Sequence, residues 1–167
     1  MIAVTPQSII RFPDPRLRQP CEVVSAFDED LRAFAGDLLE VMRAAPGIGM
    51  TAAHVGILKR IVVIELTGHP VPRFYVNPVV VDASAETARH AEGSVSMPGI
   101  VEEIERPARV TVSFRGLDGS EGSEIAEGLL AVCLQHEIDQ LDGIFFLQRL
   151  SRLKRDRAIK KWEKLRG

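Results

Sequence analysis

Gln135-His136-Glu137-Ile138-Asp139-Gln140-Leu141, followed by Asp142-Gly143, is the stretch whose reading decides the fold. It closes a longer segment, Ile125 to Leu141, in which Leu130, Leu134, Ile138 and Leu141 recur at i, i+4, i+8 and i+11. That spacing marks one apolar face of an α-helix, and Gly143 stands where such a helix caps. On this helix positions 136 and 140 project one turn apart on the same side. Two histidines there would hold one metal ion while Glu137 reached a metal-bound water. Position 140 is Gln, however, a neutral amide whose oxygen is a much poorer ligand for a borderline transition metal than an imidazole nitrogen.

Upstream, Asp28 to Ala45 places Leu31, Phe34, Leu38, Leu39 and Met42 at helical spacing, with Asp28 and Asp30 near the start and Pro46-Gly47 as the stop. Arg60 to Leu66 (RIVVIEL) and Phe74 to Val81 (FYVNPVVV) read as strands separated by Gly68, Pro70 and Pro72. Pro78 leaves a ladder hydrogen bond unmade, so the second of these is expected to be bulged or at an edge. Ile100 to Glu105 and then Ala108 to Phe114, where Val110, Val112 and Phe114 alternate with polar residues, lead into the turn Asp118-Gly119 and read as a half-buried hairpin. Downstream, Ile144 to Phe146 predicts a last short strand before a basic helix from about Ser151 to Leu165. The pattern is α+β: antiparallel or mixed sheets packed around the central helix, with one helix N-terminal to them and a basic one after.

The 167 residues, 46% of them hydrophobic, suit one domain spanning 1–167. The net charge of −2 hides an asymmetry: residues 149–167 carry nine Lys or Arg against two acids, leaving 1–148 at −9. Such a tail is either a solvated helix face or a contact to an acidic surface such as the ribosome, with nothing in it that points to sequence-specific nucleic-acid binding. Cys21 and Cys133 have no framework spacing, which argues against a disulfide-built secreted domain and for a reducing, cytoplasmic setting. Met1 to Ile10 lacks a basic region and a long apolar segment, and no stretch reaches the length of a membrane span, so a soluble, unprocessed chain is expected.

Two further segments complete the picture: Gly47-Ile48-Gly49-Met50-Thr51-Ala52-Ala53-His54 and Glu92-Gly93-Ser94-Val95-Ser96. With the Gln135 to Leu141 stretch, they resemble in order and spacing the three signature motifs of peptide deformylases, G-x-G-x-A-A-x-Q, E-G-C-x-S and Q-H-E-x-D-H-L. PDPRLR, APGIGM, VNPVVV, PGIVEEIERPARV and GLLAVCLQHEIDQL also look like text of that family, so the resemblance runs over essentially the whole chain. It implies a deformylase-like α+β fold around an HExxH-type helix and a cleft in which a peptide lies as an added strand.

The same resemblance shows where this chain departs. Of the three implied metal ligands only His136 is retained; Ser94 stands for the cysteine and Gln140 for the second histidine. A serine hydroxyl stays protonated near neutrality and offers a weak neutral oxygen in place of a soft thiolate. His54 replaces the glutamine whose amide polarises the formyl oxygen in the family, and is a possible replacement ligand. Glu137 would be the general base of an intact deformylase; without a metal it could instead pair with His54 or His136. Gly47, Ile48, Gly49, His54, Val95 and Gly99 are the expected substrate-binding positions, with Pro98, Ile100, Leu129 and Cys133 as further apolar walls. Ser94 as a nucleophile and Cys133 as a ligand are the weaker readings, and His69 and His90 are expected in loops.

The expectation is therefore a deformylase-like protein that has lost, or strongly reduced, N-formylmethionyl-peptide deformylase activity. It would keep a cleft for a peptide or nascent-chain N-terminus and hold no tightly bound metal. The alternative is an active amide hydrolase using a divalent Fe, Ni or Zn ion at a site rebuilt from His54 and His136.

Overall fold

The computed structural model describes residues 3–167, so the part of the N-terminal reading that concerns Met1 and Ile2 lies outside the described residues. Three helices, α1 (Glu29–Ala44), α2 (Gly128–Leu141) and α3 (Arg152–Arg166), combine with seven strands: β1 (Gly49–Thr51), β2 (Ile61–Ile64), β3 (Arg73–Ala83), β4 (Thr87–Gly93), β5 (Val101–Pro107), β6 (Arg109–Arg115) and β7 (Glu121–Glu127). Five strands form one sheet in the order β1-β2-β3-β6-β7, and β4-β5 form a second. All these pairings are antiparallel.

Strand β2, Ile61-Val62-Val63-Ile64, is buried at every position, because the large sheet is covered on both faces at this strand. Val62 and Ile64 turn to a core containing Leu134, Ile138 and Leu141 of α2. Ile61 and Val63 turn to one containing Leu31, Phe34, Leu38, Val41 and Met42 of α1. A strand enclosed by helices on both faces has no polar side to show, which is why it reads as an unbroken apolar run. A third core joins Ala158 and Trp162 of α3 to Ile100, Ile104, Phe145 and Phe146.

Local chemistry sets the helix ends. The Asp28 carboxylate accepts from the Leu31 N–H at the start of α1, and the Ser151 hydroxyl accepts from the Lys154 N–H at the start of α3. After α2, Gly143 has φ +79°, and a Cβ there would lie 2.9 Å from the Arg18 carbonyl oxygen. Both the left-handed backbone and the close approach require glycine.

Four expectations are corrected. The helix begins at Gly128, not Ile125, because Glu121–Glu127 is strand β7, paired with β6 across the Asp118-Gly119 turn. Ile100–Glu105 and Ala108–Phe114 do not form a hairpin with each other: β5 pairs with β4 and β6 with β3 and β7, so they belong to different sheets. Ile144–Phe146 is not a strand; Phe145 and Phe146 enter the third core and a 3-10 turn follows at Phe146–Arg149. His90 lies within β4 instead of a loop. The Pro78 expectation resolves to a bulge in an internal strand, with the β3–β6 register shifting between Val76 and Val79. Among the described residues no helix is long and apolar enough to cross a membrane.

Candidate functional site

A cavity of about 690 Å³ opens between the Ala45–Gly49 segment, the Ala91–Val95 segment, Pro98–Val101 and one face of α2. Gly47, Ile48, Gly49, His54, Val95 and Gly99 all line it, as do Ser94, Cys133, His136 and Glu137. Its apolar rim is exposed at Ile48, Val101 and Leu129. Gln140 stands apart from the others. Although its sequence position is one turn beyond His136, its side chain is buried and its Nε2 donates to the Leu17 carbonyl oxygen at 2.7 Å, so it does not line the cavity.

His136 is held on one side. Its Nδ1 lies 2.8 Å from Glu92 Oε1, and Glu92 in turn receives two hydrogen bonds from Arg106, Nε to Oε2 at 2.7 Å and Nη2 to Oε1 at 2.9 Å. Arg106 also donates to Asp139, which pairs with Arg149. Burial alone would raise the Glu92 carboxyl, but the hydrogen bonds from His136 and Arg106 outweigh it and hold the group below the usual carboxylate range. Burial likewise opposes charge on His136, yet the nearby Glu137 and the Glu92 hydrogen bond leave its pKa raised. The sequence reading missed this network. Its signal was Arg106 itself, two residues from Ile104 in an alternating strand, both facing inward.

His54 is placed by a short 3-10 turn, Ala52–Val55, that follows β1. The Thr51 N–H donates to its Nδ1 at 3.0 Å, and the Thr51 hydroxyl lies 3.0 Å from the same atom. Its Nε2 is buried with no hydrogen-bond partner. Burial and the nearby His136 push the ring down to about 3, so it is neutral at physiological pH.

Glu137 Oε1 is also buried without a partner. The expected pairing of Glu137 with a histidine is not formed; His136 pairs with Glu92 instead. Removed from water and close to the Glu92 charge, the Glu137 carboxyl is pushed up to about 7. Gly49 packs so closely that a Cβ there would lie 2.7 Å from Glu137 Oε2. Neither Gly47 nor Gly49 has positive φ, so the glycine at 49 answers to this carboxylate and not to a left-handed backbone. The Cys133 thiol, also raised by burial, sits at about 12 and is unreactive.

The family model for polypeptide deformylase matches residues 6–156. The chain belongs to the peptide deformylase family. A peptide deformylase-like protein of Brucella suis is 59% identical over 162 residues, covering 97% of this chain and 99% of that one. A peptide deformylase of the same strain is 46% identical over 160 residues, covering 94% and 91%. The crystal structure of peptide deformylase from Ehrlichia chaffeensis superimposes with a TM-score of 0.87 at 39% identity, covering 96% of each chain. Set against the family's ligand pattern, the donors here do not match. Ser94 Oγ accepts from the Ser96 N–H at 3.1 Å, Gln140 bonds to Leu17, and among the described residues no three His, Cys, Asp or Glu side chains converge in a way that would hold a metal ion.

Proposed function

We propose that this deformylase family member binds peptide N-termini in its cleft without hydrolysing N-formyl groups at an ordinary deformylase rate, and without a tightly held metal. The observation that carries the reading is a contrast within one site. The cavity has a volume of about 690 Å³, an apolar rim and a glycine-lined entrance, whereas of the two substituted ligand positions Gln140 is turned away to the Leu17 carbonyl and Ser94, still on the wall, accepts from the Ser96 N–H. Structural metal-site energetics depend on ligand charge and geometry, and one imidazole with a neutral hydroxyl supplies neither. The pair of Brucella suis proteins, one named a deformylase and one deformylase-like, fits a division of labour in which the variant does something other than bulk deformylation.

Ile48, Val101 and Leu129 at the rim suit an apolar first side chain such as methionine. The exposed Lys and Arg side chains of α3, anchored through buried Trp162 and Ala158, suit docking to an acidic surface such as the ribosome, which would bring nascent N-termini to the cleft. Ribosome co-sedimentation at rising salt tests that part: binding should weaken as ionic strength increases, and none at low salt would remove it.

The catalytic alternative draws on Glu137, whose carboxyl near 7 has the basicity of a general base. Metal analysis of anaerobically purified protein, with a formyl-methionyl peptide assay in added ferrous, nickel or zinc ion, separates the two. The proposal expects sub-stoichiometric metal and no turnover. Stoichiometric metal together with turnover abolished in Glu137→Ala would establish the alternative.

A further inference from the structure

We infer that Arg11 is a specificity residue at the mouth of the cleft, where its guanidinium takes a carboxylate carried by the bound peptide near its N-terminus. The placement starts from residues 9–12, which cross between two walls of the cavity. The Ile10 N–H donates to the His54 carbonyl oxygen and the Phe12 N–H to the Ser96 carbonyl oxygen, each at 2.9 Å. Residue 11 is thus pinned on one side to the turn that carries His54 and on the other to the segment that carries Ser94. Ile10 and Phe12 pack against the third core, with the Phe12 ring stacked on Phe145 at 5.5 Å between centroids. Ile9 and Arg11 alternate to the other side and line the cavity. The backbone at 11 is held in place while its side chain is exposed at the opening.

Charge sets this position apart. Arg11 is the one Lys or Arg among the described residues that line the cavity. Of the twelve arginines that precede α3, all but Arg11 and Arg18 form an ion pair with an acidic side chain among the described residues. Arg18 does not line the cavity. Acids outnumber bases by nine over residues 1–148, so a guanidinium left free there reflects placement and not a shortage of partners. The two carboxyls inside the cavity do not supply one: Glu92 is bound by Arg106, and Glu137 is buried at the inner end with His54.

This inference rests on the peptide-cleft reading for its ligand. Arginine presents a planar fork of N–H donors that meets a carboxylate in two parallel hydrogen bonds. A peptide whose N-terminus enters the buried end of the cavity directs its following residues to the opening, where Arg11 stands. The carboxylate can belong to an acidic side chain or, in a very short peptide, to the chain end; both offer the same pair of oxygens. Because the pair forms at an exposed position, salt should weaken it.

Calorimetry at low salt tests it with three C-terminally amidated peptides, formyl-Met-Asn-Ser, formyl-Met-Asp-Ser and formyl-Met-Asn-Asp, and with the free acid of the first. Wild type should bind at least one of the three anionic peptides roughly three- to tenfold more tightly than the neutral amide. Which peptide gains tells whether the carboxylate comes from a side chain or from the chain end. Arg11→Gln should abolish the gain, and Arg11→Lys, which keeps the charge without the fork, should keep only part of it. Arg11 has no ion-pair partner to lose, so both variants should match the wild-type melting temperature. Arg18→Gln removes the other unpaired arginine, outside the cavity, and should leave the gain intact. Equal affinity of wild type for neutral and anionic peptides, a gain that survives Arg11→Gln, or an equal loss in Arg18→Gln would overturn the inference and leave the cleft reading standing. If no peptide of either charge binds, the cleft reading falls and this inference with it.

Discussion

Around His136 the polar side chains form a chain of partners running through buried Glu92 and Arg106 and on through Asp139 to exposed Arg149, whereas across the same cavity His54 Nε2 and Glu137 Oε1 are buried with none. The difference separates scaffold from binding surface. A satisfied network holds its members rigid and adds no recognition of its own. An orphaned buried donor or carboxyl carries a standing cost that a ligand relieves.

The comparison breaks most sharply at Arg106. Arg106→Met leaves the Glu92 carboxylate buried against His136 without its main partner, and the expected loss is about 3–5 kcal/mol of stability, measured by urea unfolding. A loss under about 1 kcal/mol would mean that the network is relaxed or hydrated in solution.

Glu137 gives a pH-dependent form of the contrast. Its folded-state pKa is raised from 4.5 to about 7, so the folded protein holds a proton that the unfolded chain has released. Its contribution is fully present below about pH 4.5 and is lost as pH rises through about 7. Glu137→Gln removes this dependence. The variant should gain on wild type between pH 5 and pH 8 by up to about 3 kcal/mol, read from paired unfolding curves. A constant gap across that range would show a carboxylate already ionised in the folded state.

At Gln140 the prediction concerns a group that has left the cavity. Gln140→Met deprives the Leu17 carbonyl of its donor and should cost about 1–3 kcal/mol, with no change in peptide affinity by calorimetry. A weakened affinity would place position 140 back in the binding surface. The smallest effect is expected at Thr51→Val, which keeps the N–H to His54 Nδ1 and removes only the hydroxyl, at about 0.5–1.5 kcal/mol.

Much of this architecture was legible before any coordinates. The α2 face, the existence of β2 as a strand and the irregularity at Pro78 each follow from local spacing or from one residue's missing N–H. The start of α2 was not, because Glu121–Glu127 has little apolar alternation of its own and becomes a strand by pairing with β6. Strand β4, Thr87–Gly93, is similarly polar and depends on β5, which is why β5 was assigned to the wrong neighbour. For the site, the motifs name side chains that line one cavity, Gln140 excepted. What they could not give were the partners behind those side chains: Glu92 and Arg106 behind His136, and Thr51 behind His54, set by non-local packing in the first case and by a turn's hydrogen bonding in the second.

The central claim, a cleft that binds without hydrolysing, is met most directly by titrating metal-stripped protein with formyl-Met-Ala-Ser in a calorimeter and then analysing the recovered peptide and any formate. The account predicts saturable binding, intact peptide and no formate. Binding that requires added metal, with formate released in step, would contradict it.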